Sequence, residues 1–144
     1  MLDGCGKAKL GYVPVWLVTY NGNTIKGKER DMAAAVTKKG RQCILGFQGT
    51  RGRYQDPEKP VTMRRVDRLM LWEFRTKLGA GKKKAGGNPA GVAIMTPARL
   101  AQHVRKIYTP RDLDMEGRAM ILHIKQNRTE LMVVVVYCPH WGRI

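Results

Sequence analysis

The segment from residue 12 to residue 47 constrains the fold most, because it predicts a strand, a helix and a second strand in succession. Tyr12–Tyr20 (YVPVWLVTY) is apolar and rich in residues that favour strands. Lys28–Lys39 (KERDMAAAVTKK) contains strong helix formers and is followed by Gly40, a helix-stop signal. Gln42–Phe47 (QCILGF) then predicts a short buried strand. This order indicates a βαβ unit in which the helix crosses over between two strands.

The rest of the chain predicts mostly further strands. Val61–Leu71 fits a basic helix, while the overlapping segment Leu69–Phe74 fits a strand, and the spacing of apolar residues does not decide between them. A polar connection at Gln126–Glu130 predicts a hairpin, and the apolar run Met132–Val136 predicts a strand buried on both faces. The other segments predict a strand, one or two helical turns and three more strands, in this order: Ala90–Thr96, Pro97–His103, Val104–Tyr108, Arg118–Lys125 and Leu131–Tyr137. Together these elements indicate a layered α/β fold rather than a sandwich of strands alone.

The charge of the chain points to a polyanionic partner. Its 144 residues include 27 Lys and Arg against 11 Asp and Glu, which gives a net charge of +16. Such an excess opposes compaction by self-repulsion and is tolerated where a polyanion neutralises it. Nucleic acid is the first candidate and an acidic membrane surface the second. A basic domain without any polyanionic partner is the remaining alternative.

Cysteine content and hydropathy bear on the compartment. The three cysteines are widely separated, and Cys43 and Cys138 lie in apolar runs, so we interpret both as buried hydrophobic residues. This pattern favours an intracellular, reducing compartment, with an organelle left open. No apolar run approaches the ~18 residues that a membrane span needs, so we expect no membrane-spanning segment.

Residues 50–87 are predicted to be a basic insertion or loop region inside one truncated domain that covers residues 1–144. This region carries eleven basic against four acidic residues. Arginine forks suit phosphate and aromatic faces accept unpaired bases, so the region predicts a nucleic-acid surface, with a solvated charged face as the alternative. The candidate contacts are Arg51, Arg53, Arg64, Arg65, Arg68, Lys82, Lys83 and Lys84, and the candidate stacking residues are Tyr54 and Trp72.

Four short motifs occur in the order and spacing of one hydrolase superfamily. They are Tyr20-Asn21-Gly22-Asn23, Phe47-Gln48-Gly49-Thr50-Arg51, Gly91-Val92-Ala93-Ile94 and Val136-Tyr137-Cys138-Pro139-His140. Over residues 15–140 the chain resembles the N-terminal half of the endonuclease/exonuclease/phosphatase superfamily, which includes apurinic-site endonucleases and retrotransposon endonuclease domains. The resemblance implies half of a four-layered α/β sandwich, with a mixed sheet and one or two flanking helices.

The resemblance also implies that the chemistry of the superfamily is lost. Gly49 stands where the superfamily keeps a metal-binding glutamate, and its later Asp-x-Asn and Ser-Asp-His motifs do not occur in this sequence. The remnants Asn21, Asn23 and Tyr137 carry no charge to hold Mg²⁺, which prefers carboxylate oxygens. Asn21 and Asn23 also fit an ordinary turn, and Tyr137 a half-buried packing role. We therefore expect no catalytic residue, no bound metal and no cofactor.

These observations predict a catalytically inactive endonuclease-like fragment that serves as a basic structural or RNA-binding subunit of a large assembly, such as a ribonucleoprotein. Half of a sandwich leaves a sheet face and a strand edge uncovered, so we also expect protein partners. One alternative is a Mg²⁺-dependent phosphodiesterase half whose missing motifs lie elsewhere. Another is an accessory subunit of a membrane or photosynthetic complex.

Overall fold

The computed structural model describes residues 4–10, 13–21, 25–37, 42–50, 59, 61–74, 91–110 and 117–137. The side chains of residues 4–10, 13 and 14 are not described. Among the described residues, the elements in chain order are β1 (Gly4–Leu10), β2 (Val13–Asn21), α1 (Glu29–Thr37), β3 (Cys43–Gln48), β4 (Val61–Val66), β5 (Leu69–Phe74), β6 (Val92–Pro97), α2 (Ala98–Ala101), β7 (Val104–Tyr108), β8 (Ala119–Gln126) and β9 (Thr129–Val136).

The predicted βαβ unit is confirmed. Strands β2 and β3 are parallel neighbours, with Trp16 opposite Cys43 and Asn21 opposite Gln48, and α1 lies between them in the chain. The helix buries Met32, Ala33 and Val36, which lie on one face at helical spacing. Acidic side chains in its first turn suit the positive end of the helix dipole.

The main sheet is mixed and has six strands in the order β1-β2-β3-β6-β5-β4. Strand β1 was not predicted, because the glycines and lysines of GCGKAKL have low strand propensity. Seven successive residue pairs join β1 to β2 in an antiparallel register, from Gly4 opposite Thr19 to Leu10 opposite Val13. Cross-strand pairing therefore outweighs local propensity at the start of the chain.

The basic region contains a hairpin, so a helix over Val61–Leu71 is wrong. Strands β4 and β5 pair antiparallel from Val61 opposite Phe74 to Val66 opposite Leu69, and the two-residue turn Asp67-Arg68 joins them. Asp67 has a φ of 52°, in the left-handed region that aspartate tolerates better than most residues. Residues 61–66 and 69–74 are thus strands of the main sheet and not a loop. Residues 51–58, 60 and 75–87 of the predicted insertion lie outside the described residues.

A second sheet packs on the first. It has the order β7-β8-β9, and the predicted hairpin is confirmed by antiparallel pairing of β8 with β9. A hydrophobic core lies between the two sheets and includes Ile44, Ile94, Leu122 and Val135. A second core lies between the main sheet and α1. The described layers are therefore helix, sheet and sheet.

Strand β9 is buried on one face only, so the prediction of burial on both faces is wrong. Val133 and Val135 are 8% and 5% exposed, whereas Met132 and Val134 are 54% and 56% exposed. Successive side chains of a strand point to opposite faces, so the uninterrupted apolar run hides this alternation from the sequence. None of the described elements covers the outer face of the second sheet.

No helix in the described part of the chain is long and apolar enough to cross a membrane.

Candidate functional site

Three of the motifs that carry the superfamily resemblance meet at one end of the sheets. Asn21 and Gln48 are cross-strand neighbours at the carboxyl ends of β2 and β3. Gln48 Nε2 donates a hydrogen bond of 2.5 Å to the carbonyl oxygen of Val136, at the end of β9. The next residue, Tyr137, is half-buried, and its backbone N–H donates to the carbonyl oxygen of Arg118 at 2.6 Å. Uncharged polar side chains therefore gather at this end, hereafter the strand-end site. Asn23 lies outside the described residues.

Gly49 follows β3 directly at the strand-end site and adopts a backbone conformation that favours glycine. Its φ is 76°, in the left-handed region, and the residue is buried. Its N–H and that of Thr50 both donate to the carbonyl oxygen of Gly91, at 2.8 and 3.0 Å. These bonds hold residues 49 and 50 against the start of β6. A residue with a Cβ at position 49 would be strained in this left-handed conformation. Position 49 thus presents backbone, and no side chain, to the strand-end site.

Sequence reasoning missed the buried carboxylate of Glu73 on β5. Glu73 is 2% exposed and has partners within the fold. It lies opposite Ala93, which lies opposite Phe47, so two strand spacings, or about 10 Å, separate its backbone from that of Phe47. A single acid in the apolar run LMLWEF was the signal in the sequence. Among the described residues, no group of three or more His, Cys, Asp and Glu side chains is placed to hold a metal ion.

The predicted arginines that the structure describes surround the turn between β4 and β5. Arg64, Arg65 and Arg68 are all exposed. Arg65 Nε donates to the backbone oxygen of Asp67 at 2.8 Å, which holds the root of its guanidinium against the turn. The other predicted nucleic-acid contacts and Tyr54 lie outside the described residues: Arg51, Arg53, Lys82, Lys83 and Lys84.

Arg64 forms an ion pair with α1. Its Nη2 lies 2.5 Å from Glu29 Oε1, and the two side chains are 44% and 15% exposed. Desolvation raises the pKa of the Glu29 carboxyl, but backbone hydrogen bonds at Glu29 and Gly27 and the hydrogen bond and charge of Arg64 outweigh it. The pKa of Glu29 therefore lies below its ordinary value of 4.5. This pair fastens the edge strand β4 to the helix.

Trp72 does not have the exposed face that the predicted stacking role requires. It is 7% exposed in the core between the sheets. Its indole Nε1 donates to Thr96 Oγ1 at 3.1 Å, and both groups are buried. Strand β5 pairs with β6, whose residues are all buried. The ring of Trp72 is therefore a packing residue of the core, and Trp72 does not belong to the candidate nucleic-acid surface.

Comparison with known proteins supports the fold and leaves the activity open. No protein-family model matches the chain, and no curated protein matches it. Among solved structures, the chain is similar to the AP endonuclease LMAP from Leishmania major, with a TM-score of 0.54 and 16% sequence identity. The match covers 84% of this chain and 39% of that endonuclease. The chain therefore has a partial endonuclease-like α/β fold and spans about two fifths of that relative's length.

Proposed function

We propose that this chain is a catalytically inactive relative of the endonuclease/exonuclease/phosphatase superfamily that binds RNA as a basic subunit of a larger assembly. The observation that carries the proposal is the group of exposed arginines around the β4–β5 turn, Arg64, Arg65 and Arg68, on a chain of net charge +16. Guanidinium groups bind phosphate oxygens in pairs, and neutralisation of phosphate charge supplies most sequence-independent affinity for nucleic acid.

The chemistry of the strand-end site supports the proposal that the chain is catalytically inactive. Asn21, Gln48 and Tyr137 supply uncharged oxygen and nitrogen atoms, and Gly49 supplies only backbone. Mg²⁺ in phosphodiester hydrolysis is held by carboxylates, so this donor set does not fit the ion. We derive no catalytic step from these residues. No cofactor enters the proposal.

The outer face of the second sheet supports the larger assembly. Met132, Val134 and Val136 of β9 and Tyr108 of β7 are exposed on it. Apolar side chains grouped on one face are typical of a surface that a protein partner covers. A reducing intracellular compartment fits this proposal, because Cys43 is buried among apolar residues.

The test is purification of the native particle from its source, with its mass and its ratio of absorbance at the nucleic-acid and protein maxima recorded before and after ribonuclease treatment. We expect a large particle with co-purifying RNA that loses mass when the RNA is digested. A free protein without RNA would overturn the proposal. Deoxyribonuclease in place of ribonuclease distinguishes RNA from DNA.

The rival function is a Mg²⁺-dependent phosphodiesterase. It is favoured by the convergence of Asn21, Gln48 and Tyr137 at the strand ends. This function requires that another part of the chain or another chain place a carboxylate beside Gly49. Cleavage of an abasic-site duplex by the purified protein with Mg²⁺, abolished by chelation, would establish this rival and overturn the inactive assignment.

A further inference from the structure

A second polar site lies at the opposite end of the main sheet from the strand-end site. A groove of about 370 Å³ runs between the end of α1, the start of β3, the β4–β5 turn and α2. The polar side chains that line it are Thr37, Gln42, Arg65, Arg68 and Arg99. Three of these five are arginines and none is acidic. We call this feature the arginine groove.

The three arginines come from separate parts of the chain. Arg65 is the penultimate residue of β4, Arg68 lies in the turn, and Arg99 lies in α2, which follows β6. The fold joins these parts through the hydrogen bond from the Ala98 N–H to the carbonyl oxygen of Arg68, at 3.0 Å. Arg65 and Arg99 are more than thirty residues apart in the sequence, so their proximity in the fold could not be predicted. Sequence reasoning did not select Arg99.

The charges in the arginine groove are not neutralised by the described part of the chain. The ion pairs among the described residues join Arg64 to Glu29, and His123 and Lys125 to Glu130, and none of them involves Arg65, Arg68 or Arg99. No described carboxylate therefore lies within 4.0 Å of the three guanidinium groups. Like charges drawn together repel one another, and an anion between them removes that cost. The groove therefore favours a bound anion.

Gln42 orders one side of the arginine groove. With its amide oriented so that the oxygen faces Arg99, Gln42 accepts a hydrogen bond from Arg99 Nε at 2.8 Å. The same oxygen also contacts both terminal nitrogens of Arg99, Nη1 at 3.2 Å and Nη2, so Gln42 holds the guanidinium from one side. Arg65 is held against the turn, since its Nε donates to the backbone oxygen of Asp67. These neutral partners position the two guanidinium groups without neutralising their charge, which suits a bound anion.

The arginine groove is separate from the position of the superfamily's catalytic motifs. Gln42 precedes β3 and Gln48 ends it, so the groove and the strand-end site lie about 20 Å apart along this strand. A ligand held by the groove would lie at the far end of the sheet from Asn21 and Tyr137. Binding there would be independent of the loss of chemistry at Gly49.

We propose that the arginine groove is a phosphate site in which Arg65, Arg68 and Arg99 together bind one phosphate of a nucleic-acid backbone. This inference rests on the proposed RNA binding and adds to it a defined position and a residue, Arg99, outside the basic region of residues 50–87. Recognition is of the phosphate alone, because arginine forks on a backbone phosphate carry no base information.

Binding of a fluorescein-labelled single-stranded RNA, followed by anisotropy over a salt series, tests the proposal. We expect Arg99→Gln and Arg68→Gln each to weaken binding about tenfold, as expected for loss of a charge-assisted hydrogen bond. The matched controls Arg105→Gln, in β7, and Arg128→Gln, in the turn between β8 and β9, remove the same charge from exposed positions. They should weaken binding by less than about threefold, since they remove only long-range attraction that salt screens. Equal losses at all four positions would overturn the arginine groove while leaving RNA binding intact.

A titration with inorganic phosphate separates the two proposals. We expect the backbone amide resonances of Thr37 and Arg99 to shift in the wild-type protein and to stay unchanged in Arg99→Gln. If the wild-type protein binds no RNA, the proposed function fails, and this titration alone decides the groove. Localised shifts would then support an anion site for a free phosphate, and absent or scattered shifts would overturn it. Arg99→Lys keeps the charge without the guanidinium fork. Its affinity for the labelled RNA should therefore lie between those of Arg99→Gln and the wild type.

Discussion

Gly49 relates the sequence resemblance to the conformation of the backbone. The resemblance implies that this position lacks a metal-binding carboxylate. The positive φ of 76°, and the two hydrogen bonds that hold residues 49 and 50 against Gly91, were not predictable, because they depend on β6 pairing with β3. The conformation gives glycine at position 49 a structural role, whatever side chain the resemblance leads one to expect there.

We predict that Gly49→Ala lowers the free energy of unfolding by about 1–2 kcal/mol, because a Cβ is strained in the left-handed region. Gly49→Glu should carry the same strain and should not produce Mg²⁺-dependent cleavage. Gly46→Ala is the matched control in the same strand. Its Cβ would lie 3.7 Å from Val135 Cγ2, an ordinary contact, and should leave stability unchanged or slightly raised.

Urea unfolding of the three variants under identical conditions measures these differences. A Gly49→Ala protein as stable as the wild type would contradict the left-handed conformation. Cleavage of an abasic-site duplex by Gly49→Glu would contradict the prediction for this variant and show that a carboxylate at position 49 is sufficient with the remaining residues of the strand-end site.

At the scale of elements, the sequence pattern predicted the βαβ unit and the β8–β9 hairpin. It did not decide between a helix and a strand for the segment that forms the β4–β5 hairpin. The pattern of Val61–Leu71 fits a helix as well as a strand because Arg64 and Arg65 interrupt the alternation of apolar residues. The deciding feature is the turn Asp67-Arg68, whose aspartate accepts a positive φ. Hairpins with such turns are more often marked by Asn-Gly or Asp-Gly, so the signal was weak.

The ion pair between the hairpin and α1 should make stability depend on pH in a defined direction. The folded-state pKa of Glu29 is lower than its ordinary value of 4.5, so the unfolded chain binds its proton more readily. The pair therefore stabilises the fold fully above about pH 4.5, and this contribution is lost as the pH falls through the folded-state pKa. We predict that Arg64→Gln is about 0.5 kcal/mol less stable than the wild type at pH 7, a value already reduced for solvent screening.

Urea unfolding of wild type and Arg64→Gln at pH 7, 5 and 3 tests this prediction, with Arg128→Gln as the control for net charge. The wild type and Arg64→Gln should converge in stability at the lowest pH. A constant difference from pH 7 to pH 3 would assign the effect of Arg64 to packing of its methylene groups rather than to the charge of Glu29.

At the scale of the molecule, the sequence predicted an α/β fragment with open surfaces, and the described residues define where one of them lies. The main sheet is covered by α1 on one face and by the second sheet on the other, so its apolar residues divide between two cores. Within the described ranges of the chain, the second sheet is covered on its inner face only. This asymmetry could not be predicted, because an unbroken run of valines gives the same hydropathy to both faces of β9.

The exposed face of β9 should govern the solution behaviour of the isolated protein. We predict that the wild type associates as its concentration rises and that Val134→Lys reduces this association without loss of fold. Val134 is 56% exposed opposite Ile121, so a lysine there reaches water, and a charged edge strand resists pairing with another chain. Val133→Lys is the contrasting control on the inner face. Val133 is 8% exposed, and burial of a charged ammonium without a partner should abolish cooperative unfolding.

Sedimentation velocity over a concentration series measures association, and far-ultraviolet circular dichroism with urea unfolding reports the fold of each variant. If Val134→Lys remains folded and becomes monomeric where the wild type does not, the outer face of the second sheet drives association. If the wild type is monomeric at every concentration, its apolar side chains are stable in water, and the larger assembly loses its support from this surface. RNA binding through the arginine groove would remain open in that case, because the groove lies on the main sheet and shares no residue with β9.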